Sequence, residues 1–207
     1  MQIEQIQAGF TERHHALLFA LVAKEILRRV GMGVGEATVR AAVRRYGEQR
    51  GRRMALRAIA NGDDLSMTSF LIYSEWRSKT GHGQSELTKE GPDARLVVPQ
   101  CPWALTWMDS DLSQYGRLYC QEIDKALVRG FNPDLIIDVN RTQTNDSEPC
   151  DFLYHQAALS SRDALAYIRE KSASLAGRTV MSWDYHCGHL YKTFLRIVTE
   201  ELGEAGQ

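Results

Sequence analysis

Apolar residues recur at helical spacing through AGFTERHHALLFALVAKEILRRV, residues 8–30. Phe10, Leu17, Leu21 and Leu27 form a stripe margined by Lys24 and Arg28 and widened by Phe19, Val22 and Ile26. Gly31, Gly33 and Gly35 interrupt that pattern and predict a turn. A second helix is expected over 37–60, stopping before Asn61-Gly62. Its Gly47 and Gly51, four residues apart, cost helix propensity but permit the close approach of another element. A third helix, 66–77, offers Phe70, Leu71, Tyr73 and Trp76 for packing.

After Ser78 the pattern changes. KTGHGQSELTKEGPD reads as a loop, and ARLVVPQCPWALTW as short extended segments interrupted by Pro99 and Pro102. Residues 110–129 read as one helix, opened by Ser110 or Asp111 and closed near Gly130 with Pro133 beyond. LIIDVNRTQ and CDFLYHQA read as two strands joined through TNDSEP, a hairpin in its most economical form. The last 30 residues form a terminal helix with Trp183, Leu190, Phe194, Ile197 and Leu202 as its inward stripe. This order predicts an α+β fold in one domain, 1–207. A helical N-terminal part, 1–78, is followed by a small antiparallel sheet packed with long helices, 79–207.

Composition acts mainly by exclusion. The 207 residues are 43% hydrophobic and 25% charged, with a net charge of −1. That balance is ordinary for a globular protein and gives no reason to expect a nucleic-acid partner. Residues 1–62 hold eleven Lys or Arg against five acids, but on a helix these arginines spread around the circumference as a solvated, ion-paired face. No stretch has the length and apolarity of a membrane span, and the start lacks a signal-peptide pattern. A cytoplasmic protein, with Cys101, Cys120, Cys150 and Cys187 as reduced thiols, is therefore expected. GMGVGEAT follows a helix rather than a strand and is not read as a nucleotide loop. A homo-oligomer remains open.

Three constellations carry candidate chemistry. WDYHCGH places Asp184, His186 and His189 within one helical turn or so, and Tyr185 one turn before His189. Histidines titrate near neutrality, so Asp184, His186 and His189 are expected in an active-site wall as proton-handling or orienting residues. Packing of Trp183 and Leu190 with the histidines at polar edges is the bland alternative. A divalent metal is the other, its missing ligand drawn from Cys150, His155 or Asp124; HxxH is far less specific than HExxH, and no resident metal is assigned. In YCQEID, Cys120 and Asp124 lie one turn apart and can face one cavity. A thiol beside a carboxylate alone is disfavoured as a thiolate, so Cys120 is read either as a nucleophile with further help or as a buried small hydrophobe. Strand alternation sets Cys150, Phe152 and Tyr154 on one face, opposite Asp151, Leu153 and His155. Cys150 is thereby a second candidate nucleophile, while Cys101, beside Pro102, reads as structural. Glu48 is a base or the ion-pair partner of an arginine. Glu48, Arg52, Tyr119, Tyr154 and Trp183 are the candidate substrate contacts.

YGEQRGRRMA, CPWA, YCQEIDKALVRGFNPDL and EPCDF, in that order and separation, resemble the L-2-amino-thiazoline-4-carboxylate hydrolase family. The helix-plus-hairpin tract from Tyr119 to Phe152 is also similar to the small-ligand domains named after vinyl reductase, with Asn145-Asp146 in place of their glycine-rich turn. The first resemblance implies hydrolytic ring opening of a small heterocyclic amidine, in bacterial conversion of 2-amino-thiazoline-4-carboxylate through N-carbamoyl-cysteine toward cysteine. The reaction needs an activated water or a thiolate, and Cys120 or Cys150 would attack. Asp124, Asp184 or a histidine would manage protons, and a second-helix arginine would hold the substrate carboxylate. The second resemblance implies a sensory or binding domain without turnover.

Overall fold

The computed structural model describes residues 9–79, 85–146, 148–157 and 164–203. The outer ends of the first and last expected helices, and part of the expected loop after Ser78, lie outside them. Helix α1, Glu12–Val30, starts at Thr11, which forms a capping box with His14, and ends at Gly31, whose φ of 82° suits glycine. The glycine break is that single residue, because Gly33 and Gly35 already belong to α2, Met32–Ala60. The buried face of α1 is His15, Ala16, Phe19, Ala20, Ala23, Ile26 and Leu27, whereas Phe10 and Leu21 are exposed. Alanines let neighbouring helices approach, so the contact follows the small residues rather than the leucine stripe.

Helix α3, Met67–Ile72, is capped by Ser66, and residues 74–78 then run without regular structure past the core. The expected loop contains β1, Glu86–Glu90, which pairs with β2, Asp93–Val98, across a two-residue turn. Gly91 opens that turn at φ 62°. β1 reads ELTKE, a charged edge strand whose polarity hides it from an apolar-alternation search. Helix α4, Pro102–Asp109, has proline in its first turn, where the missing N–H costs nothing.

The expected 110–129 helix is two helices, α5, Ser113–Cys120, and α6, Ile123–Phe131, divided at Gln121 and Glu122. β3, Ile137–Arg141, and β4, Cys150–Tyr154, form the expected hairpin, with one helical turn, α7, Gln143–Asp146, in their connection. The sheet order is β1-β2-β4-β3, antiparallel throughout. Helix α8, Ala164–Thr179, was not expected from the hydrophobic pattern. The terminal helix α9, Trp183–Leu202, opens on Ser182, whose hydroxyl accepts the Tyr185 N–H. The fold is α+β, its helices gathered on the small antiparallel sheet.

α2 is the central helix, and its closest neighbour is α6. A Cβ on Gly51 would lie 2.1 Å from the Leu127 carbonyl oxygen, and one on Gly130 would lie 2.3 Å from the Glu48 carbonyl oxygen. The glycines let the two backbones touch, the approach that the spacing of Gly47 and Gly51 permits. Gly51→Ala should therefore lower stability by about 2 kcal/mol or more through overpacking. Gly188→Ala, with open space around its Cβ in α9, should raise it by up to about 1 kcal/mol through helix propensity. Urea unfolding of both variants checks the pair; equal effects would refute the close-contact account.

Candidate active site

A cavity of about 260 Å³ opens between the sheet and the helices. The sheet presents one face to it, with Leu96 opposite Phe152 and Val98 opposite Cys150 in the β2–β4 ladder. Tyr119, Cys120 and Asp124 enter from α5 and α6 despite the break between those helices. Trp76, Trp103 and Trp183 enclose it from the other side. A second chamber of about 400 Å³ shares the Trp76, Asp124 and Tyr154 walls and runs past Arg50 and Glu75. Such volumes and mixed walls suit a small molecule.

The thiols differ. Gln143 N–H donates to Cys150 Sγ at 3.3 Å, and the Cys101 thiol lies within hydrogen-bonding reach of the same sulfur. Donation from Cys101, with help from that amide, holds Cys150 below an ordinary thiol against the opposing effect of burial. Cys101 shifts upward as donor. Burial pushes Cys120 up, despite a hydrogen bond with Thr144, so Cys120 remains a thiol. Of the two cysteines suggested by the sequence, Cys150 is the one shifted toward its thiolate. Burial also raises Asp124 to about 6, only partly countered by Arg50. A carboxylate with that affinity can exchange protons near neutrality.

The histidines behave otherwise. Trp76 Nε1 donates to His186 Nδ1 at 3.2 Å, leaving His186 Nε2 to donate to the Glu75 carbonyl at 3.4 Å. Trp103 Nε1 donates to His15 Nδ1 at 3.1 Å, and His15 Nε2 meets the Tyr46 hydroxyl at 3.0 Å. His189 Nε2 meets Gln49 Oε1 at 2.7 Å, with Arg53 Nη2 3.4 Å from its Nδ1. Burial first, then nearby arginines, depress His15 to about 3, His186 to about 2 and His189 to about 4. All three are neutral at working pH with both ring nitrogens occupied. His15 and His186 each accept an indole N–H, whereas His189 pairs with Gln49 instead.

WDYHCGH is therefore divided by the helix. Trp183 lines the cavity, while His186 and His189 stand behind its wall and Asp184 is exposed in the first turn of α9. Glu48 and Arg52 also fall outside the cavity. Glu48 pairs on the surface with Arg129 Nε at 3.0 Å, and Arg52 is exposed. No group of three His, Cys, Asp or Glu among the described residues has the spacing to hold a metal ion. His155 pairs instead with Asp138 at 2.7 Å on the sheet. Arg50, Glu75, Trp76 and Trp103 belong to the site without having been singled out for it. Their signal was available in part: Arg50, Arg53 and Arg57 follow i, i+3, i+7 spacing, placing them on one face of α2 beside Tyr46 and Met54.

A small antiparallel sheet roofed by helices, with a thiol and a carboxylate facing one cavity of small-molecule size, defines the protein as an α+β fold with an internal pocket. The chain belongs to the L-2-amino-thiazoline-4-carboxylic acid hydrolase family, whose model matches residues 11–154. Comparison with curated proteins and with solved structures finds no match. The family is named for a hydrolase. No helix among the described residues is long and apolar enough to cross a membrane.

Asp124 links the site to stability. Its folded pKa of about 6 lies above the ordinary 3.8, so the native state gains protons first and is stabilised as pH falls through 6 toward 4. Above pH 6 the buried charge is a full penalty. Asp124→Asn should therefore be more stable than wild type by about 1–3 kcal/mol at pH 8. That advantage should shrink below pH 6 and vanish below about pH 4. Denaturation midpoints across this range would show it; a pH-independent difference would remove Asp124 as the linked group.

Proposed function

We propose that the protein opens the ring of a small cyclic amidine hydrolytically, with L-2-amino-thiazoline-4-carboxylate giving N-carbamoyl-L-cysteine. The observation that supports this best is the meeting of Cys150, held toward its thiolate, and Asp124, raised toward neutrality, on the wall of one cavity. The family description supplies the hydrolase class and the thiazoline.

Cys150 Sγ attacks the amidinium carbon between the ring sulfur and nitrogen as Asp124 takes the thiol proton. The carbon–nitrogen π electrons neutralise the amidinium. When they return, the carbon–sulfur ring bond breaks and the departing sulfur takes the proton from Asp124. An isothiouronium now joins Cys150 to the opened substrate. Water then adds to the same carbon while Asp124 accepts its proton, and Cys150 leaves and is reprotonated by Asp124. Loss of one proton from the resulting uronium leaves the carbamoyl group. The balance is substrate plus one water. Tyr119, whose buried hydroxyl has no hydrogen-bond partner among the described residues, is available to donate to the tetrahedral centre. Indoles around the cavity exclude bulk water from the first step.

Cys150→Ser should lower turnover at least about 100-fold with helical content unchanged, whereas Cys120→Ser should cost less than about tenfold. Rapid acid quench should trap substrate mass on Cys150. Release of free thiol at the wild-type rate from Cys150→Ser would eliminate the covalent route.

The acid limb of kcat/KM should fall near pH 6, the value of Asp124, and should persist in His186→Asn and in His189→Asn. Its disappearance in either histidine variant would transfer the proton chemistry to that ring.

A further inference from the structure

Arg50 is the most deeply buried cation among the described residues, and its guanidinium is only partly matched by acceptors. Its side chain is 2% exposed. Among its nitrogens, Nε alone has a hydrogen bond among the described residues, to Glu75 Oε2 at 3.3 Å, and Nη1 is sealed from solvent without an acceptor. Its guanidinium lies 3.7 Å from the Trp76 ring centroid and 5.5 Å from that of Tyr46, which fixes its plane. Glu75 does not explain it. Arg57 at 2.7 Å and Arg53 at 3.1 Å both lie closer to the Glu75 carboxylate, and both retain access to solvent. An arginine retained only to neutralise Glu75 would be redundant and would leave buried N–H groups unspent, a costly arrangement.

The charge around the chamber is also unbalanced. Arg50 and Arg169 on its wall, with Arg53 and Arg57 paired to Glu75, carry four positive charges against one on Glu75, and the adjacent His15, His186 and His189 are neutral. Asp124, on the wall shared by the two chambers, supplies the opposite pole. One positive pole and one negative pole face a space of small-molecule size. A dianion such as a phosphate ester would suffer from Asp124, and a simple cation from Arg50. A zwitterion satisfies both.

We propose that Arg50 is the seat of a substrate carboxylate, and that the Arg50–Asp124 pair selects small zwitterions carrying a carboxylate at one end and an amidinium at the other. The carboxylate accepts from the free guanidinium edge, the amidinium faces Asp124, and the ring carbon is directed toward Cys150. Arg50 is thus a specificity-determining residue; the identity of the ligand rests on the amidine-hydrolase reading above.

The test varies the ligand before the protein. Wild type is assayed for thiol release, and titrated calorimetrically, with L-2-amino-thiazoline-4-carboxylate, its 4-carboxamide and 2-amino-2-thiazoline lacking the group. The acid should exceed both neutral compounds at least about 100-fold in kcat/KM, most of it in KM, because each neutral compound leaves the guanidinium unpaired. Arg50→Gln should abolish that preference, and Arg50→Lys should restore part of it. Acid and neutral compounds turned over within twofold of each other by wild type, or an acid preference surviving in Arg50→Gln, would overturn the assignment while leaving the hydrolase intact. If Arg50→Gln fails to fold, the wild-type comparison decides alone. If none of the three compounds releases thiol, the hydrolase reading fails and calorimetry judges the seat. Binding of the acid alone supports it; equal binding of all three, or of none, overturns it.

Discussion

A single buried carboxylate organises the helical half of the site. Glu75 is fully inaccessible and receives Arg50, Arg53 and Arg57 from one face of α2. Its backbone carbonyl accepts the Met181 N–H at 3.1 Å and faces His186 Nε2 of α9. Burial alone would drive Glu75 toward its neutral form, but the arginines more than offset this and hold it ionised. One residue in an irregular segment thereby joins the central helix to the entrance of the last one. Its neighbour Trp76 inherits that position, lying beneath the Arg50 guanidinium and donating its indole N–H to His186. Removing the carboxylate would leave three like charges facing one another at the edge of the cavity.

The distribution of polarity follows from this arrangement. Around Cys150 and Cys120 the walls are mostly indole, phenol and aliphatic, so charge is expensive there: burial keeps Cys120 a thiol, while hydrogen bonds to Cys150 offset its burial. Two indole N–H groups would be unsatisfied in such a wall, and His15 and His186 each accept one of them. His186, expected from the sequence to handle protons, and His15, not singled out there, thus satisfy the apolar lining. The site also draws on residues beyond the tract that matches the family, since Trp183 and His186 belong to α9.

What the sequence revealed depended on distance along the chain. The Cys120–Asp124 pair and the Cys150–Tyr154 strand face were legible because one helical turn and strand alternation are local rules, and they place those residues on the cavity. Gly47 and Gly51 permitted a close contact without naming α6 as its partner. The histidine roles were not legible, because their indole partners lie 88 and 110 residues away. Glu48 and Arg52 were separated from Arg50 and Arg53 only by their angle around a helix charged on most sides, which apolar periodicity cannot orient. β1 escaped notice because an edge strand is kept polar, and α8 because its few buried residues, Ile168, Leu175 and Thr179, make too sparse a stripe.

The aromatic wall has an optical consequence. Trp76 and Trp103 stack with ring centroids 4.5 Å apart and an interplanar angle of 17°, and Trp183 lies 5.5 Å from Trp103. Indoles held this closely in a fixed chiral arrangement couple their electronic transitions and behave as one extended chromophore rather than three separate ones. Because every member of the group lines the cavity, its near-ultraviolet circular dichroism is an intrinsic gauge of what the cavity contains. Any guest that tilts one ring changes the coupling of the set, so occupancy can be followed without a label and without turnover.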